Sequence, residues 1–362
     1  MKKQIKPFKF GTVFNQFPRF IENIAPVFKE VIISFPSRLN AMALDPSKIS
    51  INENKIYNAG QIVFSIDICK KIQIKLLEGK GGECQISPTS ERKALIKHAF
   101  ELMKLAIRFN DSLFIDIDNF GEMKHVGLGS SGALLAGVAA GINELYGNPI
   151  KKEEMLTYLS RNYGEEIENS DNLLNPAQSI GGSIATGLWE GGMLLISGNN
   201  EVIKTANFDS NYEIIIGIPK NFNVSSEIAL NKEEENMPNF IECGKRYGPQ
   251  IAYRVLHEVL PSMNNQNLKI IGDVIYDYRF NMGSVENCSF LYPQLIELAR
   301  NLSYLKLNGI ADVFAISSVG PAIFVITKNK KECVDAFKKE NLDIHFTKFH
   351  NSSYKLIKTL LK

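Results

Sequence analysis

Nowhere in its 362 residues does this sequence have an apolar run long enough to cross a bilayer. Its basic start, Met1 to Lys6, leads into polar and charged residues rather than the apolar stretch of a secretory signal. A soluble, cytoplasmic protein with no membrane partner is predicted. Charge of one sign is also missing: 41 Lys and Arg stand against 39 Asp and Glu, a net of +2, and no basic run interleaved with aromatics occurs. That excludes the field that gathers nucleic acid. Cysteine is scarce. Cys69, Cys84, Cys243, Cys288 and Cys333 stand singly, an odd count without a CxxC pair, which fits neither a disulfide framework nor a zinc site, so they read as reduced thiols. Histidines are equally sparse, and His345 and His350, the one close pair, are not at metal-ligand spacing. Repeats and low-complexity segments are absent.

What remains is an ordinary globular composition, 44% hydrophobic, with a length that suits two domains. Strand patterns occur at Glu30–Ser34, Gln61–Ile66 and Ile72–Leu76, a helical one from Glu91 to Phe109, and another strand at Leu113–Ile117. Further strands are predicted at Met193–Ile196 and Glu201–Lys204, which places a boundary near residue 205 and divides the chain into 1–205 and 206–362. The second part reads as a buried strand at Glu213–Ile218, helices at Ile251–Leu260 and Tyr292–Leu305, strands at Val313–Ile316 and Ala322–Ile326, and a helix at Asp335–Glu340. Lys232–Asn236 is a charge run and reads as a solvated loop or helix end. The fold class is α+β.

The most informative stretch is His125-Val126-Gly127-Leu128-Gly129-Ser130-Ser131-Gly132, which runs directly into the apolar segment Ala133 to Ile142. Glycines let the backbone wrap an anion, and the amides at the start of the helix predicted over about Ser131–Tyr146 point at it. A phosphate suits such a cradle, because it accepts several N–H bonds and carries the charge that the helix dipole favours. Gly147-Asn148-Pro149 is the matching stop signal, and a second helix is predicted from Lys152 to Asn162. A P-loop is excluded by the lack of Lys after the last glycine. The G-x-G-x-x-G spacing is met, but Glu153 and Glu154 lie in a helical pattern rather than at a strand end, which speaks against a dinucleotide site.

Gly127-Leu128-Gly129-Ser130-Ser131-Gly132 resembles the central glycine motif of the GHMP kinase superfamily, the group of galactokinase, homoserine kinase, mevalonate kinase and phosphomevalonate kinase. Pro36-Ser37-Arg38-Leu39-Asn40 stands where that group has its first motif, and Ser317-Ser318-Val319-Gly320-Pro321-Ala322 where it has its third. The resemblance implies a two-domain fold with a ribosomal protein S5 domain 2-like N-terminal domain and a ferredoxin-like C-terminal domain. Two branches fit. Asp171-Asn172 with Pro176-Ala177 is similar to a segment of homoserine kinases. His125 before the loop, Ser317-Ser318 before Gly-Pro, and Gly182 to Gly192 are similar to beta-ribofuranosylaminobenzene 5'-phosphate synthase.

The synthase reading implies that phosphoribosyl pyrophosphate condenses with an aminobenzoate or hydroxybenzoate and releases pyrophosphate and carbon dioxide. The alternative is an ATP-dependent kinase of a small-molecule hydroxyl, and a third reading is a non-catalytic nucleotide sensor. In the first two Gly127 to Gly132 hold the phosphates, Ser130 or Ser131 offers a hydroxyl to Mg²⁺, and Ser317, Ser318 and Gly320 form the opposite wall. Asp171 is the candidate acid that orients an attacking hydroxyl. Arg38 is the candidate fork for a phosphate or carboxylate, and His125 a donor or acid. A small-molecule substrate is the expected partner, and the chain could pair as a homodimer.

Overall fold

The computed structural model describes residues 6–22, 24–49, 58–118, 126–168, 170–220 and 222–362. Two long antiparallel strands, Phe28–Ala43 and Gln61–Lys80, form the spine of a seven-stranded sheet. Asp111–Asp118 and Cys84–Ile86 extend it on one side, and Met193–Ile196 with Val202–Ala206 pairs along the far half of Gln61–Lys80. The predicted strands at Gln61–Ile66 and Ile72–Leu76 are thus one element, whose polar middle, Cys69-Lys70-Lys71, interrupts the apolar pattern at a register shift. Pro36 lies at that same shift, where a strand tolerates a residue without an N–H. The motif Pro36–Asn40 is therefore strand throughout.

On one face of this sheet lie the helices Lys93–Ile107 and Ser130–Leu145. Every residue of Ser130–Leu145 except Glu144 is buried, as its all-round apolar sequence requires. Close packing depends on its glycines: a Cβ on Gly137 would meet Ile72 Cδ1 at 2.2 Å. After the helix, Gly147 and Asn148 both take positive φ, 77° and 60°, and end it where the sequence predicts.

A second, four-stranded sheet has the antiparallel order Val313–Ile316, Ile323–Thr327, Glu213–Pro219, Leu342–Thr347. Alternation along Glu213–Pro219 divides the interior: Ile214 and Ile216 join Phe64, Leu39 and the helix Leu268–Tyr276, while Ile215 faces Leu298 and Phe337. Phe64 and Phe324 meet edge to face with ring centroids 6.1 Å apart, which joins the two sheets. The last strand, Lys355–Leu361, leaves the second sheet's side of the molecule and pairs with Phe28–Ser34 at the edge of the first. No helix among the described residues is long and apolar enough to cross a membrane.

One sequence reading is overturned. Lys232–Asn236 is not a loop or a helix end but the interior of the 29-residue helix Ser226–Arg254. Pro238 and Pro249 inside that helix hide it from propensity reasoning. Ser225 caps it by accepting from the Ile228 amide.

Candidate functional site

Residues 126–129 lead into the helix Ser130–Leu145 in a conformation that needs glycine at two points. Gly127 has φ +95° and lies so close to the third motif that a Cβ would stand 2.3 Å from the Ser317 carbonyl oxygen. Gly129 has φ +69° and faces Ser183 and Arg38. The helix begins at Ser130 with no side-chain cap. Its first amide with a partner is that of Ala133, which bonds the Gly129 carbonyl at 3.0 Å. Among the described residues the amides of Ser130, Ser131 and Gly132 meet no acceptor, as expected of a first helical turn.

Those three residues line a cavity of about 270 Å³. Its walls come from distant parts of the chain: Arg38 and Asn40 from the first motif, Gly181 to Ser183, Ser318 to Gly320, Glu233 from the long helix, and Arg279. The three motifs are bonded to each other. Ser317 Oγ donates to the Gly127 carbonyl at 2.6 Å and accepts from the Asn40 amide at 3.0 Å, and the Ser318 amide donates to the Asn40 carbonyl at 2.9 Å. Ser317 is therefore a brace behind the wall, while Ser318, with φ +57°, and Gly320 face the cavity.

Two guanidinium groups stand at the cavity without a carboxylate partner among the described residues. Arg38 donates through Nη1 to the Gly127 carbonyl at 2.6 Å, and its buried Nε meets no acceptor. Burial, with a smaller contribution from the nearby Arg279 charge, lowers its pKa to about 10. Arg279, 3% exposed, belongs to a π-helical turn, Asp277–Asn281. It bonds neutral groups: Nε the Ala41 carbonyl, Nη2 the Asn40 carbonyl, and Nη1 the Ser318 carbonyl, Ser284 Oγ and Cys288 Sγ. Two desolvated cations beside unpaired amides make this end of the cavity a receptor for an anion.

Carboxylates occupy the other end. Glu165 Oε1 accepts from Ser131 Oγ at 2.5 Å and its Oε2 from the Tyr163 hydroxyl at 2.7 Å. Burial, and then the charge of Glu165, push the Glu233 carboxyl up to about 7. Behind the loop, Arg92 is held at φ 62° with its side chain 2% exposed. It bonds Glu166, Glu165 and Ser131, and donates to Ser130 Oγ at 3.1 Å. The hydroxyls of Ser130 and Ser131 are thus fixed from behind by an arginine that single-sequence reading gave no reason to select.

The structure brings Arg38, Gly127 to Gly132, Ser318 and Gly320 together, with Ser317 directly behind. It does not bring Asp171 to them. Asp171 is exposed on a separate depression with Glu91, Arg92 and Glu166, where its carbonyl accepts from Lys97 Nζ at 3.3 Å. His125 lies outside the described residues. Arg279, Glu165 and Glu233 were not selected from sequence. Their only signal was charge, and in Glu233 it was hidden inside an acidic run.

Residues 94–181 match the family described as GHMP kinases N terminal domain. Among curated proteins none matches the sequence. Similar solved structures include homoserine kinase from Cytophaga hutchinsonii, 15% identical, with TM-score 0.60 over 95% of this chain and 100% of that one. Mevalonate kinase from Methanococcus jannaschii is 16% identical, with TM-score 0.59 over 89% of this chain and 99% of that one. Mevalonate pyrophosphate decarboxylase from Streptococcus pyogenes is 12% identical, with TM-score 0.62 over 90% and 98%. The α+β fold of these proteins is shared across nearly the whole chain, and the family match is confined to residues 94–181.

Proposed function

We propose that this chain is a group-transfer enzyme acting on a phosphorylated substrate, with an ATP-dependent kinase of an anionic small molecule as the leading reading. The observation that carries it is the convergence of the unpaired amides of Ser130 to Gly132 with Arg38 and Arg279 on one cavity. The amides bind phosphate oxygens, and the arginines bind the acceptor's carboxylate or phosphate and fix its position. Glu233, with its pKa near neutral, takes the proton of the attacking hydroxyl. The kinase activities named for the similar homoserine and mevalonate enzymes support this order of readings. Asp171, the acid expected from the sequence, lies on another surface and does not take that role.

Mg²⁺ suits the donor set, since Ser131 Oγ and Glu165 Oε1 are neighbouring hard oxygens beside the phosphate cradle. Those two residues would hold it, and when bound it would neutralise phosphate charge.

The phosphoribosyl condensation is kept as a second reading on one observation. Two guanidiniums without a carboxylate partner among the described residues suit a substrate pair that brings a 5'-phosphate and a benzoate carboxylate to one cavity. The experiment that separates the readings incubates the protein with Mg²⁺ and either ATP plus hydroxyl acceptors bearing an acid group, or phosphoribosyl pyrophosphate plus 4-aminobenzoate or 4-hydroxybenzoate. ADP formed only with an acceptor supports the kinase, and pyrophosphate with carbon dioxide supports the condensation. Nucleotide binding without turnover of either set overturns both and leaves a sensor.

A further inference from the structure

Away from this cavity, three metal-ligating side chains converge where the C-terminal segment crosses from the second sheet to the first. Asp67 lies inside the register shift in Gln61–Lys80 and Cys69 at its edge, and His350 arrives from the far end of the chain. The crossing is anchored by backbone bonds, Asp67 N–H to the Lys348 carbonyl at 3.0 Å and His350 N–H to the Ser65 carbonyl at 2.9 Å. His350 Nδ1 lies 3.0 Å from Asp67 Oδ1 and 4.0 Å from Cys69 Sγ, and that sulfur lies 3.5 Å from the same carboxylate oxygen. For a tetrahedral zinc with ligand bonds of about 2.0–2.3 Å, ligand atoms stand about 3.3–3.6 Å apart. The three observed separations bracket that value.

The imidazole is also oriented as a ligand. Nε2 lies 3.1 Å from the Ser353 carbonyl oxygen, which can only accept, and 3.2 Å from Ser352 Oγ. This contact turns Nε2 away from the cluster and points Nδ1 at the carboxylate oxygen, a gap that a second ring proton or a metal ion bridges. The His350 side chain is 2% exposed and that of Asp67 53% exposed, so the ring is fixed while the site stays open to solvent on the carboxylate side.

We propose that Asp67, Cys69 and His350 form a binding site for a zinc-class divalent cation that clips the crossover at residues 348–353 to the first sheet. Sulfur, imidazole and carboxylate together select a borderline-soft ion over Mg²⁺ or Ca²⁺. On binding, the Cys69 S–H bond breaks, a metal–sulfur bond forms, and the proton leaves to solvent. Three protein ligands leave a fourth position for water. Lys355 adds a positive charge near Asp67 and Cys69 that opposes the ion.

The test titrates the full chain with Co²⁺, whose bond to a thiolate gives a charge-transfer absorption that oxygen ligands do not. The expected result is one equivalent bound with that band, no band in Cys69→Ser, at least ten-fold weaker binding in Asp67→Asn, and tighter binding in Lys355→Ala. Zn²⁺ should displace Co²⁺ and raise the melting temperature of the wild-type chain but not of Cys69→Ser. Because Asp67 is exposed and Cys69→Ser is conservative, neither variant depends on surviving a core change. Absence of the band at saturating Co²⁺, or its persistence in Cys69→Ser, overturns the proposal. Binding at Glu165 and Ser131 would give no thiolate band, so the outcome is independent of the function proposed above.

Discussion

Arg38 is a desolvated cation whose Nε meets no acceptor, a state that stabilises nothing by itself and that the proposed function assigns to an anionic ligand. In Arg38→Ala the Gly127 carbonyl keeps its bond from Ser317, so folding stability should change little or rise. Affinity for an anionic substrate should fall ten- to a hundred-fold, about 1.4–2.7 kcal/mol, and calorimetric titration beside a melting curve measures both. Glu233 allows a test with a defined sign. Its folded pKa, about 7, lies above the ordinary value of 4.5, so the folded state holds the proton more tightly than the unfolded one. Its penalty is therefore absent at low pH, grows as pH rises from about 4.5 towards 7, and is constant above. Glu233→Gln should gain stability relative to wild type across that window, read as a widening difference in melting temperature. If Glu233 is the base, the same variant should also lose the rise of turnover with pH near neutrality.

At the level of elements, the helix Ser130–Leu145 was legible at both ends, because glycines with hydroxyls before it and Gly147-Asn148-Pro149 after it carry their own geometry. The long helix Ser226–Arg254 was not. Its two prolines and its acidic run argue locally against a buried role, and only packing that places Glu233 at the cavity decides otherwise. The glycine loop can be tested against a glycine that serves packing alone. In Gly129→Ala a side chain would be forced into φ +69° with its Cβ 2.3 Å from Ser183 Oγ and 2.8 Å from Arg38 Nε. A loss of about 1–3 kcal/mol in stability is expected from the backbone alone, together with weaker nucleotide binding because Arg38 is displaced. Gly187→Ala, whose Cβ would overlap the Phe35 ring at 2.1 Å, should cost about 1–3 kcal/mol by overpacking. Ligand affinity of its folded fraction should not change. Urea unfolding and nucleotide titration of the two variants separate a cradle from a packing turn.

At the scale of the whole molecule the sequence is least legible, because the decisive contacts join residues far apart. Ser317 braces Gly127 from 190 positions away, and Asp67 meets His350 across 283, so no spacing rule could pair them. The same holds for the last strand, Lys355–Leu361, which returns to the first sheet and covers the edge of Phe28–Ala43. Lys358 Nζ there bonds Glu30 Oε2 at 2.9 Å, and this bond is the largest cause of the lowered Glu30 pKa. Removal of residues 355–362 leaves the backbone of Phe28–Ser34 unpaired on that side, an open edge with buried Val31 and Ile33 in its middle. Several ladder bonds at about 0.5–1.5 kcal/mol each are lost, so the urea midpoint should fall. The open edge should also make the truncated chain associate, as light scattering would detect. None of the removed residues lines the cavity, so nucleotide affinity of the folded fraction should persist. A truncated chain that stays monomeric with an unchanged midpoint would show that the first sheet is stabilised by its helical face alone.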